Sequence, residues 1–151
     1  MEKYITHNID WQKASEAFEL PIDLLIEFFN DGRVIGRLGE FIDKHHTQSL
    51  RQNENCSFDN LTIENKRREI RSCRNSVSFA ASKEVGSGRK VTKKGFEEKL
   101  NNVDEFAVID SRQIKQGKLE FLLLTTDEVR NLPLGKNKNM SSDKFWATVE
   151  K

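Results

Sequence analysis

Glu69 and Arg71 stand two residues apart in a short run, Arg68 to Ser72, whose composition suits a β-strand. Side chains two apart on a strand point the same way, so this acid and this cation share a face while Ile70 points into the core. Asp59 lies in the preceding strand-like run, Phe58 to Ile63, with a tight turn expected near Glu64 and Asn65. Centred there, the turn brings Asp59 opposite or close to Glu69, and two carboxylates converge beside one cation. Such a pair repels unless a proton or a divalent ion lies between its members. Mg2+, or Mn2+ in its place, suits an oxygen-lined pocket of this kind, because Mg2+ keeps several waters and takes one or two protein carboxylates together with phosphate oxygens. The chemistry this predicts is phosphodiester hydrolysis, in which the ion lowers the pKa of a water and the cation offsets charge on the phosphate.

The elements that must position these groups follow from spacing and punctuation. Trp11, Ala14 and Phe18 predict a first helix that stops before Pro21, since the residue preceding proline avoids the α region. Ile22 to Phe29 predicts a second helix, with Asp23 and Glu27 on one side and its other sides buried. After Asn30, Asp31 and Gly32 comes a third, with Val34, Ile35, Leu38, Phe41 and Ile42 as its apolar stripe and Gly36, Gly39, Glu40 and Asp43 opposite. Two glycines cost a helix about 1 kcal/mol each relative to alanine, so a close approach by a backbone or ligand is expected there. Gln48 to Asn55 reads as a loop. Phe58 to Ile63, Arg68 to Ser72 and Ser76 to Ala81 read as three strands. A glycine-containing loop, Val85 to Lys90, leads into a helix from about Thr92 to Asn101 with Phe96, Leu100 and Val103 at helical spacing. Phe106 to Ile109 and Leu119 to Thr125 have strand length. Thr126 or Asp127 would cap a short helix ending at Pro133, and Ser141 or Ser142 another carrying Phe145 and Trp146.

Charge singles out the middle of the chain. Residues 1–63 carry 6 Lys/Arg against 11 Asp/Glu, residues 64–99 carry 11 against 5, and residues 100–151 carry 8 against 8. Lys66, Arg67, Arg68, Arg71 and Arg74 crowd the hairpin, and Lys83, Arg89, Lys90, Lys93 and Lys94 surround the following loop and helix start. Such clustering is the electrostatic footprint expected for nucleic acid. Backbone N–H groups around Gly86, Ser87 and Gly88 would assist as anion donors. A solvated basic face, or one that meets an acidic protein, is the alternative.

Other classes recede. The two cysteines, Cys56 and Cys73, lack the spacing and neighbouring histidines of a zinc site, and adjacent His45 and His46 point about 100° apart on a helix. No apolar run approaches membrane-spanning length, and Met1 to Asp10 lacks the order of a signal peptide, so a cytoplasmic location is expected. At 151 residues the chain suits a single domain.

These motifs carry a resemblance. Gly36-Arg37-Leu38-Gly39-Glu40-Phe41, Phe58-Asp59 and Glu69-Ile70-Arg71 resemble, in that order, the helix glutamate, the aspartate and the acid-x-lysine strand of the PD-(D/E)XK, restriction-endonuclease-like nucleases. The resemblance implies an α/β (α+β) fold, with an α-β-β-β-α-β core and a mixed central sheet flanked by helices. That core would span residues 33–125, between an N-terminal helical part, 1–32, and a C-terminal helical part, 126–151. It implies a Mg2+-dependent endonuclease acting on duplex DNA, often as a homodimer. Asp59 and Glu69 would be its metal ligands, Arg71 its contact to the scissile phosphate and Glu40 an auxiliary carboxylate. Arg67, Arg68, Arg74, Lys83, Arg89, Lys90, Lys93 and Lys94 would hold the nucleic acid. Arg71 departs from the motif's lysine: it keeps the charge but effectively never gives up its proton. A non-catalytic nucleic-acid-binding module with the same fold is therefore the second reading.

Overall fold

Capping side chains set most helix boundaries in the computed structural model, which describes residues 3–48, 50–52, 56–86 and 88–150. Asp10 accepts from the Lys13 amide at 3.0 Å and starts α1 (Trp11–Phe18), which ends where Glu19 turns left-handed. Pro21 opens α2 (Ile22–Phe29), and Asp31 caps α3 (Gly32–Thr47) by accepting from the Arg33 and Val34 amides. Thr92, Thr125 and Ser141 do the same for α4 (Lys93–Asn102), α5 (Thr126–Arg130) and α6 (Ser142–Val149). Each such cap satisfies a donor the helix itself cannot.

A six-stranded sheet runs in the order β1 (Tyr4–Asn8), β7 (Lys118–Thr125), β6 (Glu105–Asp110), β4 (Arg67–Ser72), β3 (Asn60–Leu61), β2 (Leu50–Arg51). Only β4 and β6 are parallel, and α4 lies in the long crossover that a parallel pair requires. Residues Phe106 to Ile109 of β6 are wholly buried, as befits a strand covered on both faces. One face carries Ile70, Ala107, Ile109 and Phe121 against Trp11, Leu25, Ile35 and Ile42 of α1 to α3. The other carries Phe106, Val108 and Leu122 against Phe96, Leu100, Phe145 and Trp146 of α4 and α6. The architecture is therefore α+β, with a mixed sheet between helical layers.

Several expectations are corrected. The segment Ser76 to Ala81 does not extend the central sheet; β5 (Ser76–Ser78) instead pairs with β8 (Asn139–Ser141) in a separate ribbon. The N-terminal part is not purely helical, because β1 pairs with β7 at the sheet edge, and the C-terminal part contains β8. The expected loop at Gln48 to Asn55 holds β2, while Ser49 and residues 53–55 lie outside the described residues. In α2 only Leu25 is buried; Leu24 and Phe28 face solvent.

The buried face of α3 is also rotated from the expected stripe, with Phe41 exposed and Ile35, Gly39, Glu40, Ile42 and Asp43 inside. Polar residues win that face because they find partners. Arg68 donates to Asp43 at 2.5 Å and to Glu105 at 2.8 and 2.6 Å, and Asn60 donates to Asp43 at 2.7 Å and to the Glu40 carbonyl at 3.0 Å. At Gly39 an added Cβ would sit 2.5 Å from Cδ1 of Ile109 and 3.1 Å from Cγ2 of Ile70. This glycine is the close approach its helix-breaking cost suggested, and it seats α3 directly on β4.

Candidate active site

Register fixes the carboxylate pair. Asn60 pairs with Arg68 in the antiparallel ladder, so the next position along brings Asp59 beside Glu69. Asp59 and Glu69 are hydrogen-bonding neighbours, and Oδ2 of Asp59 also accepts from the Ile70 amide at 2.8 Å. Parity along β4 sends Arg68 and Ile70 toward α3, and Glu69 and Arg71 toward α4.

Two cations meet Glu69 on that side. Nη2 of Arg71 donates to Oε2 of Glu69 at 3.0 Å, and Lys99 of α4 forms an ion pair with the same oxygen. Lys99 is buried, and its Nζ also donates to the Ser57 carbonyl at 2.7 Å. An ammonium has three N–H donors, and among the described residues these two contacts use two of them. Arg71 makes its contacts through one nitrogen: Nη2 also donates to the Ala80 carbonyl at 3.0 Å and lies 3.4 Å from Oγ of Ser82, while its buried Nε has no partner among the described residues. A cleft of about 390 Å³ opens here, lined by Ser57, Asp59, Glu69, Ser82, Lys83 and Lys99 among others. Arg71 is absent from that lining. A larger hollow, about 630 Å³, lies between β1 and the end of α3 and contains neither carboxylate.

Opposite electrostatics divide the pair. Burial pushes the Asp59 carboxyl up to about 8, and the hydrogen bond and charge of Glu69 add to the effect, with Glu40 contributing last. Burial pulls Glu69 the same way, but Arg71 first, then the hydrogen bond from Asp59 and the Lys99 charge, outweigh it and hold Glu69 below its ordinary value. At neutral pH Asp59 therefore carries the proton that Glu69 has surrendered.

Helix α4 delivers Lys99, and the loop before it fixes α4. The Glu84 carboxylate accepts from Oγ1 of Thr92 at 2.7 Å and from its amide at 3.2 Å. A Cβ on Gly95 would meet the end of the Glu84 side chain, so a larger residue there would push that carboxylate aside. Gly86 and Gly88 take positive φ, 129° and 75°, while Ser87 lies outside the described residues.

The remaining sequence candidates fall in three groups. Lys83, Arg89, Lys90, Lys93 and Lys94 are exposed around the cleft's outer loop and helix start, with Lys83 in the cleft lining. Glu40 is buried on the α3 side, 3.7 Å from Arg37, and its charge acts on Asp59. The hairpin basics do not gather on one face. Arg68 is buried in its ion pairs, Arg67 is clamped on Asp104, and Arg74 borders a groove beside α2 on the other side. The expectation for Arg68 fails because two acids from distant segments claim it. His45 and His46 are exposed as expected, and Nε2 of His46 lies 2.8 Å from Nδ1 of His7. Sequence reasoning missed Lys99, Glu84 and Gly95. The available signal was Lys99 itself, a lysine on the apolar stripe of Phe96, Leu100 and Val103.

No protein-family model, curated protein or solved structure matches this chain. Function must be argued from the site.

Among the described residues, no group of three or more His, Cys, Asp or Glu gathers closely enough to hold a metal ion. Asp59 and Glu69 both line the cleft with carboxyl oxygens, one protonated and the other paired with Arg71 and Lys99.

Proposed function

We propose that this chain is a divalent-metal-dependent nuclease that hydrolyses phosphodiester bonds in DNA at the Asp59, Glu69 and Lys99 cleft. The observation that carries the reading is a buried lysine beside two carboxylates that share one proton. The element order supports it: α3, β2, β3, β4, α4 and β6 run as α-β-β-β-α-β, with Asp59 beside β3 and Glu69 on β4. That order resembles the restriction-endonuclease-like core when β2 is counted among the three strands and β5, which pairs with β8 outside the sheet, is set aside.

Mg2+ or Mn2+ held by Asp59 and Glu69 would supply a water of lowered pKa and offset the phosphate's negative charge. Arg71 keeps Glu69 ionised and ready to bind. Lys99 takes the place of the motif lysine: its ammonium points its charge at a phosphate oxygen or orients the attacking water. Unlike Arg71, an ammonium is also able to release its proton. Lys83 and the exposed basics from Arg89 to Lys94 would hold the backbone of the nucleic acid, and a homodimer would place two such clefts on opposite strands.

Genomic DNA, which contains almost any short recognition sequence, tests the reading when incubated with the chain with and without Mg2+ or Mn2+. Cutting should need the ion and vanish in Asp59→Ala and Glu69→Ala. Lys99→Met should lower the rate by about 100- to 1000-fold, the usual cost of one preorganised donor. Binding without cutting under all these conditions would leave the non-catalytic module instead.

A further inference from the structure

Four large apolar side chains at the α1–α2 corner are exposed: Phe18 at 59%, Leu20 at 45%, Leu24 at 51% and Phe28 at 58%. Leu24 and Phe28 stand four residues apart on α2 and share one side of it, and Leu20 lies just before the Pro21 that opens the helix. The corner is rigidly built. Oγ of Ser15 donates to the Leu20 carbonyl at 2.6 Å, the Leu20 amide donates to the Ser15 carbonyl at 3.3 Å, and Pro21 fixes the entry to α2. Its underside is anchored by Leu25 and Trp11 in the core. An apolar row of this size held in a fixed shape marks an interaction surface rather than scatter.

Charge says what covers it. Between residues 10 and 31, Asp10, Glu16, Glu19, Asp23, Glu27 and Asp31 are exposed against a single exposed lysine, Lys13, and the neighbouring cations Arg74 and Lys115 border only the groove beside Asp23 and Glu27. No ion pair ties down Glu16, Glu19, Asp23 or Glu27 among the described residues. A second copy docking through the same face would set acid against acid, and an anionic lipid surface would be repelled as well. The exposed Phe41 of α3 stands between Arg37 and Lys44 and is not counted in this face.

We propose that the α1–α2 corner docks a basic amphipathic helix of a partner protein, whose leucine-like anchors cover Leu24 and Phe28 while its lysines and arginines meet the acidic rim. Helix-in-groove recognition uses anchors at this spacing. No residue of the corner lines the carboxylate cleft, so the surface is independent of the hydrolytic reading.

Fluorescence anisotropy of a labelled Leu/Lys amphipathic helical peptide against the whole chain tests it, with a Leu/Glu peptide as control. The Leu/Lys peptide should bind, more weakly as salt rises, and the control should not. Leu24→Asn with Phe28→Asn, which keeps every charge, should weaken binding at least tenfold, as should Asp23→Lys with Glu27→Lys. Binding by either double variant that matches the parent chain, or no binding by the parent chain at all, overturns the proposal. So would self-association in sedimentation that the asparagine variant abolishes, or capture by anionic vesicles that the same variant abolishes.

Discussion

Two carboxyl groups on neighbouring strands, one holding the other's proton, dominate this protein at the scale of single residues. Asp59 binds its proton more tightly in the folded chain, at about 8, than in the unfolded chain, near 3.8. Between those values the folded state carries the extra proton, so this group's contribution to stability falls as pH rises from about 4 to about 8. Glu69 is shifted the other way and gives back part of that loss above its ordinary value. Asp59→Asn removes the decline. Relative to the parent chain, its urea midpoint should be higher at about pH 9 than at about pH 5; a constant offset between the two would contradict the shared proton. The pair itself was legible from strand alternation and one tight turn, because both are local rules. The buried lysine was not, since Lys99 becomes a site residue only when α4 lies across β4, thirty positions away in sequence.

At the scale of elements, α3 is held to the sheet by a charged clasp as much as by apolar packing. Arg68 lies between Asp43 and Glu105, all three buried, with Asn60 completing the contact to Asp43. Arg68→Met would leave two acids without their shared cation, and removing one partner of such a buried pair costs about 3 to 5 kcal/mol. Denaturant unfolding should show that loss, and a loss below about 1 kcal/mol would mean the clasp is solvated. This clasp is also why part of the fold was illegible. A sequence reading places lysines, arginines and acids on wet faces, which sends Arg68 to nucleic acid and Glu40 and Asp43 to the outside of α3. Their burial depends on partners from other segments, which no local pattern reveals. Elements bounded by local signals came through well: Pro21 before α2, Asp31 before α3, Thr92 before α4, and the apolar runs of β6 and β7. Strands whose partners lie far away did not, as with β1 on β7 and β5 on β8.

For the whole molecule, the basic middle third resolves into an inner and an outer set of charges. Arg67, Arg68, Arg71 and Lys99 are tied to acids within the fold, while Lys83, Arg89, Lys90, Lys93 and Lys94 remain at the surface near the cleft. The outer set is the one beside the cleft, where Lys83 and Lys94 also lie 3.8 and 4.0 Å from Glu98. Replacing Lys83, Arg89 and Lys90 by alanine should weaken DNA binding and flatten its salt dependence by about 0.9 in the logarithmic slope for each phosphate that is no longer neutralised. Arg74→Ala should leave that slope unchanged, because Arg74 borders the groove beside α2. Equal effects from the two changes would show that binding follows net charge and not this face. Among the described residues no helix is long and apolar enough to cross a membrane.

The most direct test of the site is calorimetric titration of Mn2+ or Mg2+ near pH 7 in two buffers of different ionisation enthalpy. The account predicts that each bound ion releases about one proton, the one Asp59 holds, and that affinity rises about tenfold per pH unit below about 8. Asp59→Asn should release none and bind far more weakly. Binding with no proton release, or undiminished binding by Asp59→Asn and Glu69→Gln, would contradict it.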